Sequence, residues 1–442
     1  MKAIVHIGTE KTGTTSIQGL LYLNRKKLRK AGFHFLQCAG PMNSRAIPAY
    51  CLGDDSFDDF FRDNGITTAE AKEKFRATFR RDFEQEIREL PDSIHTVIIS
   101  SEHLHSRIRS VEEMDKVHEL LTSSFDEIRI ICYLREQAAT CTSFYSTYIK
   151  TGGTESLKKV LKRCKPGNPY FNYDSMLANW ERCFGIESLD INLFSSNHFL
   201  NGNLLDDFAA KIDSSLVGTL DQNVDDGNES LVPSGQALAR TLNVLFPDDP
   251  DRPKVREFRE KCMELVVQAL AGRGQQPDFA SKQMICQLFQ RSNEAIRLKF
   301  FPTIDVLFPP PADVATPDAA VDQNFFSTLE LILSMIRKSG ISLMRAEDYP
   351  LLWSVLTTCI DDAVKVKKIE SLQTQPDVIL DDKDMHMLKD IALKIEEAYP
   401  NAAAKLMNLA SQVKPDYPAI QAKMAEFQAK GLLPSKPAEK SR

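Results

Sequence analysis

The sequence predicts an α/β fold, with a mainly parallel central sheet flanked by helices and an all-α C-terminal extension. Short apolar runs at 3–8, 97–99, 128–134 and 188–195 are typical of buried strands. Amphipathic segments with helical spacing separate these runs, and strands that alternate with helices favour a parallel sheet covered on both faces. Beyond three consecutive prolines at 309–311, every remaining pattern is helical.

Each helical segment shows apolar residues at helical spacing. The first follows residue 13 and runs to about Lys30, with a basic C-terminal end that suits the helix dipole. In the segment 69–90, aromatic residues recur at every fourth position. The other helices are expected near 111–123, from about 136, and over 171–184, 203–212, 234–246, 252–272 and 278–298; the polar stretch at 221–230 is expected to be a loop.

The proline run predicts a domain boundary between 1–310 and 311–442. The C-terminal region is expected to contain helices at 322–340, 347–371, 384–398, 401–413 and 417–430. Its segment 384–430 loosely resembles a tetratricopeptide pair, although one pair falls short of a repeat array. We expect these helices to shape a substrate cleft, to self-associate or to contact a protein partner.

The composition of the 442 residues is that of an ordinary soluble protein, with 43% hydrophobic and 26% charged residues. A net charge of −6 argues against a nucleic-acid-binding protein. The nine cysteines are scattered and contain no C-x-x-C pair, so neither a metal site nor a disulfide framework is expected. Because no signal sequence or membrane-spanning run is recognisable, the predicted location is the cytoplasm.

Residues 8–15 read GTEKTGTT, directly after the first apolar run and before the first helix. The glycines let the backbone fold around an anion, its N–H groups point inward, and the helix N-terminus adds positive potential. Thr14 and Thr15 add hydroxyl donors, and Thr15 or Ser16 is also a candidate helix cap. The pattern therefore predicts an anion-binding loop.

The lysine of this loop is displaced from its place in ATP-binding loops. In the pattern G-x-x-x-x-G-K-[ST], the lysine follows the second glycine and reaches the β- and γ-phosphates. Here Thr14 holds that position, and Lys11 lies two residues before Gly13, at the crown of the loop. From there its ammonium can reach the bridging oxygen of a 5′ leaving group and stabilise the charge that develops, without a metal ion.

The stretch KTGTTS at 11–16 resembles the 5′-phosphosulfate loop of sulfotransferases that use 3′-phosphoadenosine 5′-phosphosulfate (PAPS). The resemblance implies a P-loop-like fold for residues 1–310, with PAPS as co-substrate and no metal. It also implies that Lys11 contacts the leaving oxygen. The residues that would surround the phosphosulfate are Lys11, Thr12, Gly13, Thr14, Thr15 and Ser16.

A second anion site is required for the 3′-phosphate of PAPS. Arg135 ends the third buried run, and Ser143 follows eight residues later on a predicted helix. The 3′-phosphate motif of the family has the same layout, and a guanidinium with a hydroxyl suits a phosphate. The basic R-K-G triplet that closes over the 3′-phosphate in the cytosolic animal enzymes is not evident here. Asn228–Ser230 or an unidentified basic residue is expected in its place.

The catalytic base should follow the neighbouring strand, in TVIISSEHLHS. Where cytosolic members of the family end this strand in K-T-H, this chain has Ser100-Ser101-Glu102, which puts Glu102 in the position of the catalytic histidine. Glutamate serves as base in carbohydrate sulfotransferases of the same fold. His103 and His105 stay alternatives, because a one-residue slip at the strand end changes the side chain offered.

Three functions remain open from the sequence. The leading hypothesis is a PAPS-dependent sulfotransferase acting on a hydroxyl of a glycan or glycolipid. A P-loop kinase-like ATP-dependent transferase is the second, and the missing G-K-[ST] lysine counts against it. A non-catalytic scaffold derived from a sulfotransferase is the third, and the joint presence of Lys11, Arg135, Ser143 and a candidate base counts against that.

Overall fold

The computed structural model describes residues 1–224, 230–248, 252–312, 324–338, 382–397 and 399–433. The helix expected at 347–371 and the candidate residue Asn228 lie outside these ranges. Within them, no helix combines the length and hydrophobicity needed to cross a bilayer.

A five-stranded parallel sheet forms the centre of the fold. Its strand order is β2-β3-β1-β4-β5, and every neighbouring pair is parallel. Four strands confirm the predicted apolar runs, whereas β2 was not predicted, because three residues are too few to show a periodic pattern. The strands are β1 (Lys2–His6), β2 (Phe33–Phe35), β3 (Thr96–Ser100), β4 (Glu127–Leu134) and β5 (Leu189–Leu193).

Helices connect the strands and continue through the C-terminal region, which confirms the predicted α/β fold with a helical C-terminal part. The helices up to the fifth strand are α1 (Thr14–Leu23), α2 (Arg25–Lys30), α3 (Ala46–Cys51), α4 (Asp59–Asp63), α5 (Ala69–Arg88), α6 (His103–Ser106), α7 (Val111–Thr122), α8 (Gln137–Lys150), α9 (Leu157–Leu161) and α10 (Tyr173–Phe184). Those beyond it are α11 (Leu204–Ile212), α12 (Pro233–Leu245), α13 (Pro253–Ala269), α14 (Phe279–Phe300), α15 (Asn324–Lys338), α16 (Asp382–Ile395), α17 (Pro400–Val413) and α18 (Pro418–Ala429).

The single helix expected from residue 14 to about Lys30 is two helices, α1 and α2. Asn24 separates them, and its side-chain amide donates to the carbonyl oxygens of Leu20 and Asp221 at 2.9 and 2.7 Å. Its carboxamide oxygen accepts from the backbone N–H of Asp221 at 2.8 Å. A buried asparagine that binds the backbone in this way ends one helix and lets the chain begin another.

Alternate side chains of the strands pack on opposite faces of the sheet. One face, with Val5, Ile99 and Cys132, is covered by residues of α3, α5, α7, α10 and α14. The other face, with Ile4 and Tyr133, is covered by α1, α2 and α11. Because both faces are buried, the strands are almost continuously apolar, which is why they were recognisable in the sequence.

The chain forms two compact units. The described residues of the first are 1–141, 162–224 and 279–312, and they include the whole sheet. The second comprises the remaining described residues, all of them helical or in connections, and the chain passes from one unit to the other within α8. The domain boundary predicted at 310/311 stays a prediction.

Candidate functional site

Three adjacent strands, β3, β1 and β4, end at the same edge of the sheet, because all are parallel. The loop 8–13 follows β1, Glu102 follows β3, and Arg135 follows β4. Ligands of open parallel sheets bind at the carboxyl ends of the strands, in a crevice where successive connections diverge. The three segments singled out in the sequence therefore begin at one edge.

The backbone of the loop is held by hydrogen bonds to its neighbours. Thr9 donates its N–H and its hydroxyl to the carbonyl oxygen of Tyr133, at 2.9 and 3.1 Å. The hydroxyl of Thr12 donates to the carbonyl oxygen of Thr9 at 2.6 Å. Lys11 has a φ of 68°, in the left-handed region that non-glycine residues rarely adopt. The crown of the loop is thus fixed in an unusual conformation by bonds on its flanks.

Helix α1 begins at Thr14, and its N-cap residue is Gly13, whose φ is 71° and which provides no side-chain cap. The expectation that Thr15 or Ser16 caps the helix is therefore wrong, because Gly13 takes the cap position. A Cβ at Gly13 would lie 2.3 Å from Cδ2 of Leu204, so any larger residue would displace Leu204 in addition to adopting the left-handed conformation. The first N–H groups of a helix have no partner within it, and an uncapped N-terminus suits an anion.

Glu10, in the middle of the loop, is turned towards α6 and residue 170. Its Oε2 accepts from the hydroxyl of Tyr170 at 2.8 Å, and its backbone N–H donates to Nδ1 of His105 at 3.3 Å. Burial would raise the pKa of Glu10, but hydrogen bonds from Ser106 and Tyr170 and electrostatic interactions with the rings of His105 and His103 lower it on balance. The carboxylate therefore anchors the loop as an ionised group.

Glu102 lies against the loop and is held by two amides. The Cβ that a side chain at Gly8 would have lies 3.1 Å from Cβ of Glu102, so only glycine allows this approach. Oε2 of Glu102 accepts from Nε2 of Gln18 at 2.6 Å and from Nδ2 of Asn43 at 2.9 Å. Oε1 accepts no hydrogen bond within the part of the chain that the structure describes.

The two histidines of α6 differ in their surroundings. His105 is buried, and with Nδ1 accepting from Glu10, its Nε2 carries the proton and donates to the carbonyl oxygen of Tyr170 at 3.0 Å. Burial lowers the pKa of His105 to about 4. His103 has Nδ1 at 3.8 Å from Oε1 of Glu10, and burial, together with the charge of Arg45, lowers its pKa despite the Glu102 carboxylate.

Arg135 contacts the crown of the loop. Its Nη1 donates to the carbonyl oxygen of Lys11 at 2.9 Å, and its guanidinium lies 5.4 Å from the ring centroid of Phe194. Burial lowers the pKa of Arg135, opposed by Tyr173 and Glu136. Ser143 is half-buried on α8, in the segment that belongs to the second unit. The end of β4 and the loop 8–13 are therefore joined directly.

Four buried polar atoms from residues near Glu102 have no hydrogen-bond partner among the described residues. They are Oδ1 of Asn43, Nη1 of Arg45, Oγ of Ser101 and Nδ1 of His103. The other terminal nitrogen of Arg45 donates to carboxylates of Asp58 and Asp59. Buried polar groups are nearly always paired, so these four atoms are exceptions among the described residues.

Sequence reasoning missed Glu10, Gln18, Asn43 and Tyr170. Glu10 stood inside the recognised loop, and a carboxylate in an anion-binding loop was the one signal available. Gln18 and Asn43 look like ordinary polar residues of a helix and a loop.

Among the described residues, no group of three or more His, Cys, Asp or Glu side chains is arranged to hold a metal ion.

The chain matches no protein-family model, and no curated protein sequence matches it. Among solved structures, it is similar to the crystal structure of a sulfotransferase from Alicyclobacillus acidocaldarius, with 13% sequence identity and a TM-score of 0.31. The match covers 60% of this chain and 94% of the other. A likeness this distant does not define the activity of the chain.

Proposed function

We propose that the protein is a PAPS-dependent sulfotransferase that moves a sulfuryl group to a hydroxyl of a glycan or glycolipid. The observation that carries the proposal is that three predicted segments lie next to one another. Lys11, at the crown of the loop 8–13, accepts a hydrogen bond from Arg135 through its carbonyl oxygen, and Gly8 of the same loop lies against Glu102. A lysine, an arginine and a carboxylate at neighbouring strand ends suit a donor with two anionic ends and an acceptor hydroxyl.

The residues of the loop fit the anionic 5′ end of the donor. Gly13 is the N-cap residue of α1 and provides no side-chain cap, and Lys11 lies at the crown with a φ of 68°. In the proposal the N–H groups at the start of α1, with Thr14, Thr15 and Ser16, bind the phosphosulfate, and Thr12 supports the loop. Lys11 stabilises the charge that develops on the departing 5′-phosphate oxygen. Arg135 and Ser143 bind the 3′-phosphate.

Glu102 is the proposed base, in preference to His105, and His103 stays the alternative. Its Oε1 accepts no hydrogen bond among the described residues, whereas both ring nitrogens of His105 bind the backbone. As the acceptor oxygen forms its bond to sulfur, Glu102 takes the hydroxyl proton and the bond between sulfur and the 5′-phosphate oxygen breaks. The products are a sulfate ester and 3′,5′-ADP.

The polar residues around Glu102 support a hydroxyl-rich acceptor. Asn43, Arg45 and His103 are polar or charged, and each carries a buried polar atom without a partner among the described residues. An aromatic acceptor would require an apolar lining instead. The charge of Arg45 is already balanced by Asp58 and Asp59, which favours neutral hydroxyls over a carboxylate. The cytoplasmic location stays a prediction.

The proposal is tested by calorimetric titration with 3′,5′-ADP, AMP and ATP with magnesium. We expect 3′,5′-ADP to bind at least about tenfold more tightly than AMP, a difference of about 1.4 kcal/mol. Arg135→Ala should reduce the difference between the affinities for 3′,5′-ADP and AMP. Lys11→Ala should weaken the binding of both nucleotides by the same factor. Lys26→Ala, which removes an exposed lysine of α2, is the control and should change neither.

Two results would contradict the proposal. One is binding of ATP with magnesium as tight as that of 3′,5′-ADP, which would favour the kinase-like alternative. The other is equal affinity for 3′,5′-ADP and AMP. A positive titration is followed by a screen of glycans and glycolipids for uptake of ³⁵S from labelled PAPS, and Glu102→Gln should lower the rate of that uptake by roughly 10²-fold or more while nucleotide binding persists.

A further inference from the structure

The carboxylate of Glu102 is held by two amide groups that come from different elements. Gln18 lies on α1, the helix that begins at the anion loop, and Asn43 lies in the connection between β2 and α3. Both donate to the same oxygen, Oε2, at 2.6 and 2.9 Å. We propose that Gln18 and Asn43 are positioning residues that fix Glu102 with Oε1 directed to the acceptor hydroxyl; this inference rests on the proposed function.

The geometry leaves the glutamate little freedom. A glutamate side chain has three rotatable bonds, and fixing them lowers the entropy cost of reaching a reactive arrangement. Gly8 lies close to the start of this side chain, since a Cβ added at Gly8 would approach Cβ of Glu102 to 3.1 Å. The two amides restrict the far end of the side chain at Oε2. Glu102 is therefore held through its carboxylate.

The chemistry of the two donors also suits a base. Amides donate hydrogen bonds without a full positive charge, so they orient the carboxylate without making it as poor a base as a lysine or an arginine would. They occupy one oxygen and leave the other for the proton. Gln18 is 5% exposed, and its buried amide finds its partner in Glu102.

The loop that carries Asn43 is shaped for this contact. Gly40 has a φ of 131°, and a Cβ there would lie 2.4 Å from the carbonyl oxygen of Asn43. The close turn requires glycine and fixes the backbone of residue 43. The amide of Asn43 is oriented by its bond to Glu102, because only its nitrogen can donate to a carboxylate.

The first test is kinetic and uses the full chain. With methyl glucoside and glucosylceramide as acceptor probes, release of 3′,5′-ADP from PAPS is measured for Gln18→Met and Asn43→Ala. Each kcat should fall at least about tenfold, while the KM for PAPS and the affinity for 3′,5′-ADP stay within about twofold. In a Glu102→Gln background the same substitutions should cause no further loss, since no base remains to be positioned.

The second test does not depend on turnover. The protein is labelled with ¹³C at the glutamate side-chain carboxyl carbon, and the Glu102 resonance is assigned with Glu102→Gln. Gln18→Met and Asn43→Ala should each shift that resonance. Gln85→Met is the matched control, because Gln85 donates to Glu89 at 2.8 Å on the exposed face of α5, and it should leave the Glu102 resonance in place.

The two tests separate the inference from the proposed function. An unchanged Glu102 resonance in both variants overturns the positioning role, even if 3′,5′-ADP binds. A full further loss of kcat in the Glu102→Gln background also overturns it, because the amides would then act elsewhere. Failure of the unaltered protein to bind 3′,5′-ADP overturns the proposed function and requires neither variant.

Discussion

At the scale of single residues, Glu10 and Lys11 are neighbours in the chain that face different tasks. Glu10 is bound by Tyr170 and His105, which turn it towards α6 and residue 170. Lys11 occupies the left-handed region at the crown, a conformation that costs a lysine roughly 1 kcal/mol. Strained residues persist where surrounding bonds hold them, and they are common at functional sites. The anchor at Glu10 and the bond from Arg135 supply that support here.

The buried histidines should make the protein less stable in acid. Burial lowers the pKa of His105 to about 4 and that of His6 to about 3, against about 6.5 for the unfolded chain. As the pH falls below 6.5, the unfolded chain takes up protons that the folded protein does not, so the free energy of unfolding falls until the pH reaches the folded pKa. His105 alone should contribute about 3 kcal/mol of this loss by pH 4.

Chemical denaturation between pH 7 and pH 4 measures this effect. His105→Gln is the informative variant, because glutamine can accept from the N–H of Glu10 and donate to the carbonyl oxygen of Tyr170 but does not titrate. Its free energy of unfolding should depend less steeply on pH than that of the unaltered protein. An equal dependence of the free energy of unfolding on pH in both proteins would contradict the prediction that His105 causes the loss of stability in acid.

At the scale of elements, the connection from β1 to α1 combines conformation and close packing. Gly13 has a φ of 71° and faces Leu204 of α11, at a distance that leaves no room for a Cβ. Gly8 has a φ of 97° and lies against Glu102. Both glycines are therefore constrained by close tertiary contacts as well as by the conformation of the turn, which explains why the loop has glycine at each end.

Gly13→Ala should destabilise the protein more than its conformation alone predicts. The control is Gly65→Ala, since Gly65 has a similar φ of 67° but no atom within 4 Å of the position that a Cβ would take. The control should cost about 1 kcal/mol, the usual penalty of a left-handed alanine. Gly13→Ala should cost about 2–4 kcal/mol, because overpacking adds about 1–3 kcal/mol. Thermal and denaturant unfolding measure both variants, and equal losses would contradict the packing role of Gly13.

At the scale of the whole molecule, the second unit joins distant parts of the chain. Helix α12 is buried from Ser234 to Leu245. Tyr399 is 2% exposed, its hydroxyl donates to the carbonyl oxygen of Ala237 at 3.2 Å, and the guanidinium of Arg240 lies 4.7 Å from its ring centroid. Lys394 donates to the carbonyl oxygen of Leu245 at 2.7 Å. Residues on both sides of the proline run therefore share one unit.

A chain that ends at residue 312 should not behave as an independent folded domain. It would keep α12 and α13 but lose Tyr399, Lys394 and the apolar faces of α16 and α17, so buried surface of α12 would be exposed. Exposed apolar patches promote association. Size-exclusion chromatography and dye binding should show association and exposed apolar surface. A monomeric fragment with unchanged cooperative unfolding would instead support the boundary at 310/311.

The sequence by itself determined the features that depend on neighbours along the chain. Period and length revealed four of the five strands and most helices, and two short motifs singled out Lys11 and Arg135 as candidate site residues. These signals are local, because the spacing of apolar residues reflects the element that they form. The three-residue strand β2 and the break at Asn24 escaped, since one is too short to be periodic and the other depends on Asp221.

Only the tertiary structure decided which groups surround Glu102. The strand order places β3, β1 and β4 side by side, so residues distant in the chain, such as Gln18 and Glu102, meet at 2.6 Å. Nothing in the local pattern distinguishes Gln18 from a solvent-facing glutamine or Asn43 from any loop asparagine. Their contacts with Glu102 arise from packing. Hydrogen-bond partners at a sheet edge depend on how whole elements are arranged rather than on sequence spacing.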